Sequence, residues 1–132
     1  MKKSILTLSA LAATLIVSAQ RIDVKESSEK FSTGSHNAFS TTIFANTQDD
    51  VESEWKKVLK DYKNEKVKSD KGEVFGDNIV IKEWGNDPVD IYTTFEEDKK
   101  AKTVIIHVAF DLGGAYITSS EHKDKAALEV FV

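Results

Sequence analysis

Histidines, carboxylates and a glycine pair are the groups in this chain that could do chemistry, and they are sparse. There are three histidines, His36, His107 and His122, and no cysteine. Thiolate nucleophiles and thiolate metal sites are therefore excluded, and a zinc-type centre would have to combine imidazole with carboxylates. His107 and Asp111 stand four residues apart in the apolar run Val104–Leu112. On a strand that spacing puts both on one face but about 13 Å apart, too far for them to share one proton or one metal. A metal-dependent hydrolase would need His122 to join them from beyond Gly113 and Gly114; the plainer reading of His107 is a strand histidine, exposed or half-buried. Gly113-Gly114, between a strand and a helix start, could cradle an anion with backbone amides. No phosphate-loop pattern surrounds the pair, and a turn that needs positive φ is the simpler account. Trp84, beside Gly85-Asn86-Asp87-Pro88, could be a recognition aromatic for a glycan or peptide, or an anchor tying a loop end to the core. No serine stands in a nucleophile-elbow pattern, and no HExxH motif or carboxylate cluster occurs. These absences predict no catalytic residue, no metal site and no cofactor.

The elements that must position these residues are legible in part. Ala38–Ala45 (AFSTTIFA) is rich in β-branched and aromatic residues and reads as a strand, although Phe39, Ile43 and Phe44 leave its buried face open. Thr47 with Asp50 three residues later is a capping arrangement, and Asp49, Asp50 and Glu52 favour the positive end of a helix dipole. Val51, Trp55, Val58, Leu59 and Tyr62 then form one stripe, which predicts a helix over about 47–63 with Lys56, Lys57, Lys60 and Lys63 toward its end. Lys66–Ser69 and Glu73–Gly76 flank a turn at Asp70-Lys71-Gly72, which predicts a hairpin, and a further apolar segment covers Ile79–Trp84. Val89, Ile91 and Phe95 alternate with Asp90, Tyr92, Thr94 and Glu96. The next strand alternates Val104, Ile106, Val108, Phe110 and Leu112 with Ile105, His107, Ala109 and Asp111. A second helix is predicted from Ser119-Ser120-Glu121 to Val132, with no stop signal.

This order argues for an α+β fold: an antiparallel sheet with helices packed on one face, loosely ferredoxin-like. The stripe Trp55, Val58 and Tyr62 should lie on Val104, Ile106, Val108, Phe110, Ile91 and Phe95. The other face, carrying Tyr92, Thr94, His107 and Asp111, should have little to cover it.

Lys2 and Lys3, an apolar run of 13 residues from Ile5 to Val17, and Val17 with Ala19 match a cleavable signal peptide over residues 1–19. The run is shorter than the roughly 20 residues a spanning helix needs, so a signal rather than an anchor is expected. Residues 20–37 (QRIDVKESSEKFSTGSHN) read as a mobile polar leader, and 38–132 as one domain. The whole chain carries 18 basic and 22 acidic residues, net −4. Two of the lysines lie in residues 1–19, so a mature chain would carry 16 and 22, net −6. With no clustered basic face, nucleic acid is not an expected partner.

The stretches FSTGSHNAF, DVESEWKKVLKDYK, KVKSDKGEVFGDN and VAFDLGGAYITSSEHKDK resemble a group of uncharacterised exported proteins of Bacteroidota-type bacteria, over most of residues 31–125. In longer relatives of that group a charged coiled-coil tail follows the domain. The resemblance implies export to the periplasm or medium and an α+β domain, and adds no catalytic residues. Together these readings predict a soluble, noncatalytic binding module of the cell envelope. Its partner would be a protein, peptide or glycan, recognised through Tyr92, Thr94, His107, Asp111 and Trp84. The alternatives are the metal-dependent hydrolase, and a shortened paralogue without independent activity that self-associates through Val130, Phe131 and Val132.

Overall fold

The computed structural model describes residues 23–120. The signal-peptide segment 1–19, His122 and the greater part of the C-terminal helix expected from Ser119 lie outside them, as does the self-association assigned to that helix.

Six strands and one α-helix make up the described fold: β1 (Lys25–Phe31), β2 (Gly34–Phe44), α1 (Gln48–Asp61), β3 (Lys66–Asp70), β4 (Glu73–Ile79), β5 (Val89–Asp98) and β6 (Thr103–Asp111), with a 3₁₀ turn at Lys82–Trp84. The strands form one sheet in the order β1-β2-β6-β5-β4-β3, and every neighbouring pair is antiparallel. The architecture is α+β. The ferredoxin-like detail is not confirmed: the described residues hold one α-helix, and the sheet order places sequence neighbours side by side in the run β6-β5-β4-β3.

Local chemistry accounts for most of these elements. Thr47 caps α1, its hydroxyl accepting the Asp50 amide at 3.3 Å, and Val51, Trp55 and Leu59 form the buried stripe. Lys71 and Gly72 turn β3 into β4 with φ of 50° and 79°, the paired positive values of a two-residue hairpin loop that follows the twist of its strands. At Asp77-Asn78 the β4–β5 register shifts and Asn78 takes φ 49°. The bulge ends regular pairing there, so Ile81–Trp84 continues as a 3₁₀ turn and not as a strand. Asp98 Oδ1 accepts the amides of Lys100 and Ala101, both at 3.1 Å, closing the β5–β6 loop.

The main core lies between α1 and one sheet face. Trp55 and Leu59 sit on Val74, Ile91, Ile106, Val108 and Phe110, as the two periodicities predict. Phe39 joins this core, so the odd-numbered residues of β2 face the helix and the even-numbered ones, Ala38 to Phe44, face away. Thr93 is the one polar side chain inside this layer; it is fully buried and its Oγ1 accepts the Trp55 indole N–H at 2.8 Å.

Two expectations change. Residues 25–37 are not a leader: β1 pairs along its whole length with β2, from Lys25 opposite Ser40 to Phe31 opposite Gly34. A strand with polar side chains on both faces carries no hydrophobic alternation, yet its backbone pairs the Gly34–Ser40 part of the β2 edge. Nor does the face opposite α1 lie wholly bare. The sheet coils until the tip of the β1–β2 hairpin reaches β4, where Ser32 donates its amide and hydroxyl to Glu73 at 2.9 and 2.6 Å. Phe31, Ala38 and Ala109 are buried in a small second core under this tip, with Tyr92 and Tyr116 against them.

Candidate functional site

Coiling makes the face opposite α1 concave, and strand parity selects what lines it: Lys25, Ser27 and Glu29 from β1, Ser40 and Phe44 from β2, Tyr92, Thr94 and Glu96 from β5, and Ile105 and His107 from β6. A cleft of about 890 Å³ opens over the β1-β2-β6 part of this surface, lined among others by Lys25, Glu29, Ser40, Phe44 and Ile105, with His107. Phe44 is 68% exposed there, a large apolar side chain with no packing role.

His107 is only 7% exposed because neighbouring strands close over it. Ser40 is its direct cross-strand partner, and Ser40 Oγ lies 2.5 Å from His107 Nδ1. Glu29 Oε1 is 3.8 Å from the same nitrogen. On the far edge of the ring Glu96 Oε2 is 3.4 Å from Nε2, a nitrogen that is buried without a hydrogen bond. Imidazole, serine hydroxyl and two carboxylates thus converge from four strands. Thr94 pairs with His107 across β5 and β6 and completes the ring's surroundings.

Toward the hairpin tip the same face turns aromatic. His36 stacks on Tyr116 with ring centroids 3.9 Å apart and planes within 7°, and Thr33 Oγ1 is 3.0 Å from His36 Nε2. Tyr92 lies against Phe75 at 5.0 Å, with the Lys68 ammonium 5.9 Å above the Phe75 ring. A second cleft of about 610 Å³ runs between Phe31, Ser32, Lys68, Glu73, Phe75 and Tyr92. Burial pushes both tyrosine hydroxyls above their usual range, and the acidic Asp90, Asp111 and Glu73 nearby push the same way.

Of the five residues singled out in the sequence, Tyr92, Thr94 and His107 share the concave face, while Asp111 stands at its end. Asp111 Oδ1 accepts the amides of Gly113 and Gly114 at 2.9 and 2.7 Å, and both glycines have positive φ, 109° and 99°. The glycine pair is therefore a turn whose amides are already taken, not an anion cradle. Asp111 also faces Asp90 across β5 and β6; burial, then repulsion from Asp77 and Asp111, raise the Asp90 carboxyl, opposed by the Asn78 amide it accepts. Trp84 is on the other side of the sheet, 8% exposed and edge-on to Phe110 at 5.1 Å: it anchors the Ile81–Gly85 turn to the core. Among the described residues no three His, Asp or Glu side chains converge as a metal site. Ser40, Glu29 and Glu96 were missed; the available signal was parity, since any antiparallel pairing of β2 with β6 that buries Phe39 also turns Ser40 toward the face of His107.

What the geometry defines is a single antiparallel sheet, backed by one helix and concave on its free side. No family model, curated protein or solved structure matches the chain. No helix among the described residues is long and apolar enough to cross a membrane.

Proposed function

We propose that this chain is an exported binding module of the cell envelope that takes a peptide or glycan segment in its concave sheet face. The observation that carries the reading is the cleft of about 890 Å³ over β1, β2 and β6, with an exposed Phe44 on its wall and polar groups of both charges within reach. Apolar surface beside a few convergent polar groups is the common make-up of a ligand site, and an exposed large aromatic that supports no core suits contact with a partner. Export rests on the signal-peptide pattern of residues 1–19 and on the resemblance to exported proteins.

Thermal melts of the protein with pools of envelope glycans and peptides test it. A ligand at 100 times its dissociation constant stabilises by about 2.7 kcal/mol, a shift of several degrees for a domain of this size. The shift should vanish in Phe44→Ser and Lys25→Glu and persist in Lys57→Glu on the exposed side of α1. If no pool moves the midpoint, or the shift survives both cleft substitutions, the cleft is not the site.

A further inference from the structure

We propose that Ser40 is an activated nucleophile, with His107 as its general base and Glu96 as the positioning residue, and that the cleft cleaves small carboxylic esters. The proposal rests on the reading of the cleft as a ligand site and adds a reaction to it.

The tautomer of His107 follows from its surroundings. Nε2 is buried and lacks a hydrogen bond, and the carboxylate of Glu96 is 3.4 Å from it. A carboxylate only accepts, so the favourable arrangement puts the ring proton on Nε2, the nitrogen on the Glu96 side of the ring, although the two are not in hydrogen-bond geometry. The other tautomer would set a bare nitrogen lone pair against that carboxylate in a poorly solvated spot. With the proton on Nε2, Nδ1 is an acceptor, and Ser40 Oγ at 2.5 Å is the donor. This is the logic of nucleophile, base and orienting carboxylate, with the roles of the two imidazole nitrogens exchanged relative to the usual protease arrangement. Ser40 and His107 are also register partners on adjacent interior strands, so the pair is held by the sheet and not by a loop.

Reach and charge fit the reaction. Ser40 lines the cleft and is only half-buried, so an ester carbonyl can approach it. Lys25 is the β1 partner of Ser40 and lines the same cleft. Its ammonium is the cation on this wall of the cleft that would meet a developing oxyanion. Ile105 and Phe44 offer apolar surface to a short acyl or alkyl group. In the first half-reaction Ser40 Oγ forms a bond to the carbonyl carbon while its proton passes to His107 Nδ1. The bond from carbon to the leaving oxygen then breaks, and the alcohol departs with that proton. Glu29, 3.8 Å from Nδ1, and Glu96 both face the transient imidazolium and stabilise it. In the second half-reaction water gives its proton to Nδ1, adds to the acyl carbon and releases the acid, and Ser40 recovers the proton.

The test is labelling of the protein with a fluorophosphonate, followed by hydrolysis of p-nitrophenyl acetate. A covalent adduct should map to Ser40 and be absent from Ser40→Ala, and His107→Gln should slow labelling by about 10²-fold, the low end of what a positioned base supplies. Glu96 has a side chain 66% exposed, so Glu96→Gln keeps the fold. It should lower kcat for ester hydrolysis with KM unchanged, and Glu96→Asp should recover part of the rate, which a purely structural role would not do. No adduct at Ser40, equal labelling rates in wild type and a folded His107→Gln, or an unchanged kcat in Glu96→Gln would overturn the proposal. Melt shifts of the wild type by glycan or peptide pools that vanish in Phe44→Ser, without any adduct at Ser40, would sink the chemistry and leave the binding reading standing.

Discussion

A single methyl group added at Gly76 tests how tightly α1 is held to the sheet. Gly76 lies on the helix-facing side of β4, opposite Val67 on one side and Ile91 on the other. A Cβ there would stand 3.0 and 3.1 Å from Ile79 Cγ1 and Cδ1 and 3.4 Å from Leu59 Cδ1. Two effects oppose each other. Alanine restricts the unfolded chain and so favours folding by about 0.4–1 kcal/mol where the backbone permits it. Overpacking a filled core costs about 1–3 kcal/mol. Ile79 and Leu59 are both fully buried, so any yielding must happen inside the core, and we expect overpacking to win. Gly76→Ala should lose roughly 0.5–2 kcal/mol, with a melting midpoint lower by about 4–8 °C for each kcal/mol. In urea the transition midpoint should fall with the slope unchanged. Ile79→Val removes the Cδ1 methyl and by itself costs about 0.5–1.5 kcal/mol; combined with Gly76→Ala it should cost less than the two losses together, by at least about 0.5 kcal/mol. A Gly76→Ala protein as stable as wild type, or strict additivity in the cycle, would refute the tight approach of helix and bulge.

Three further outcomes follow from the polar contacts. Thr93→Val keeps the shape of the central buried site but removes the acceptor of the Trp55 indole, and should destabilise by about 1–3 kcal/mol in denaturant melts. Asp90 has a folded-state carboxyl raised by burial and by its acidic neighbours. A raised folded value means that its stabilising contribution is present at low pH and is lost as pH rises through that value; Asp90→Asn should therefore melt higher than wild type near neutral pH, with the gap closing on acidification through the carboxylate range. Glu26 runs the other way, since the bonds from Ser119 and Asn37 lower its carboxyl. Its contribution is present above the unfolded value and lost as pH falls through the folded one, so Glu26→Gln should melt lower near neutrality and converge with wild type in acid.

What could be read from the sequence was what local pattern controls. The cap at Thr47 and the stripe from Val51 to Leu59 define α1, and alternation in Val89–Asp98 and Thr103–Asp111 defines the hairpin that carries His107 with Tyr92 and Thr94 on one face. β1 was hidden because Lys25-Glu26-Ser27-Ser28-Glu29-Lys30 has no apolar period; it is a strand because β2 has an edge to fill. The bulge at Asp77-Asn78 was legible as punctuation but not as a bulge, since only pairing with β5 reveals the register shift. The centre around His107 depends on contacts between residues as far apart as Glu29, Ser40, Glu96 and His107, and spacing along the chain carries no information on which strands become neighbours.

The central claim is that the concave face is where this protein meets its ligand, and backbone-amide NMR titration with the glycan and peptide pools measures that most directly. The account predicts that the first resonances to move belong to Lys25–Glu29, Ser40–Phe44 and Ile105–His107, while those of α1 stay in place. Shifts confined to α1 or to the Ile81–Pro88 turn, with the concave face unmoved, would contradict it.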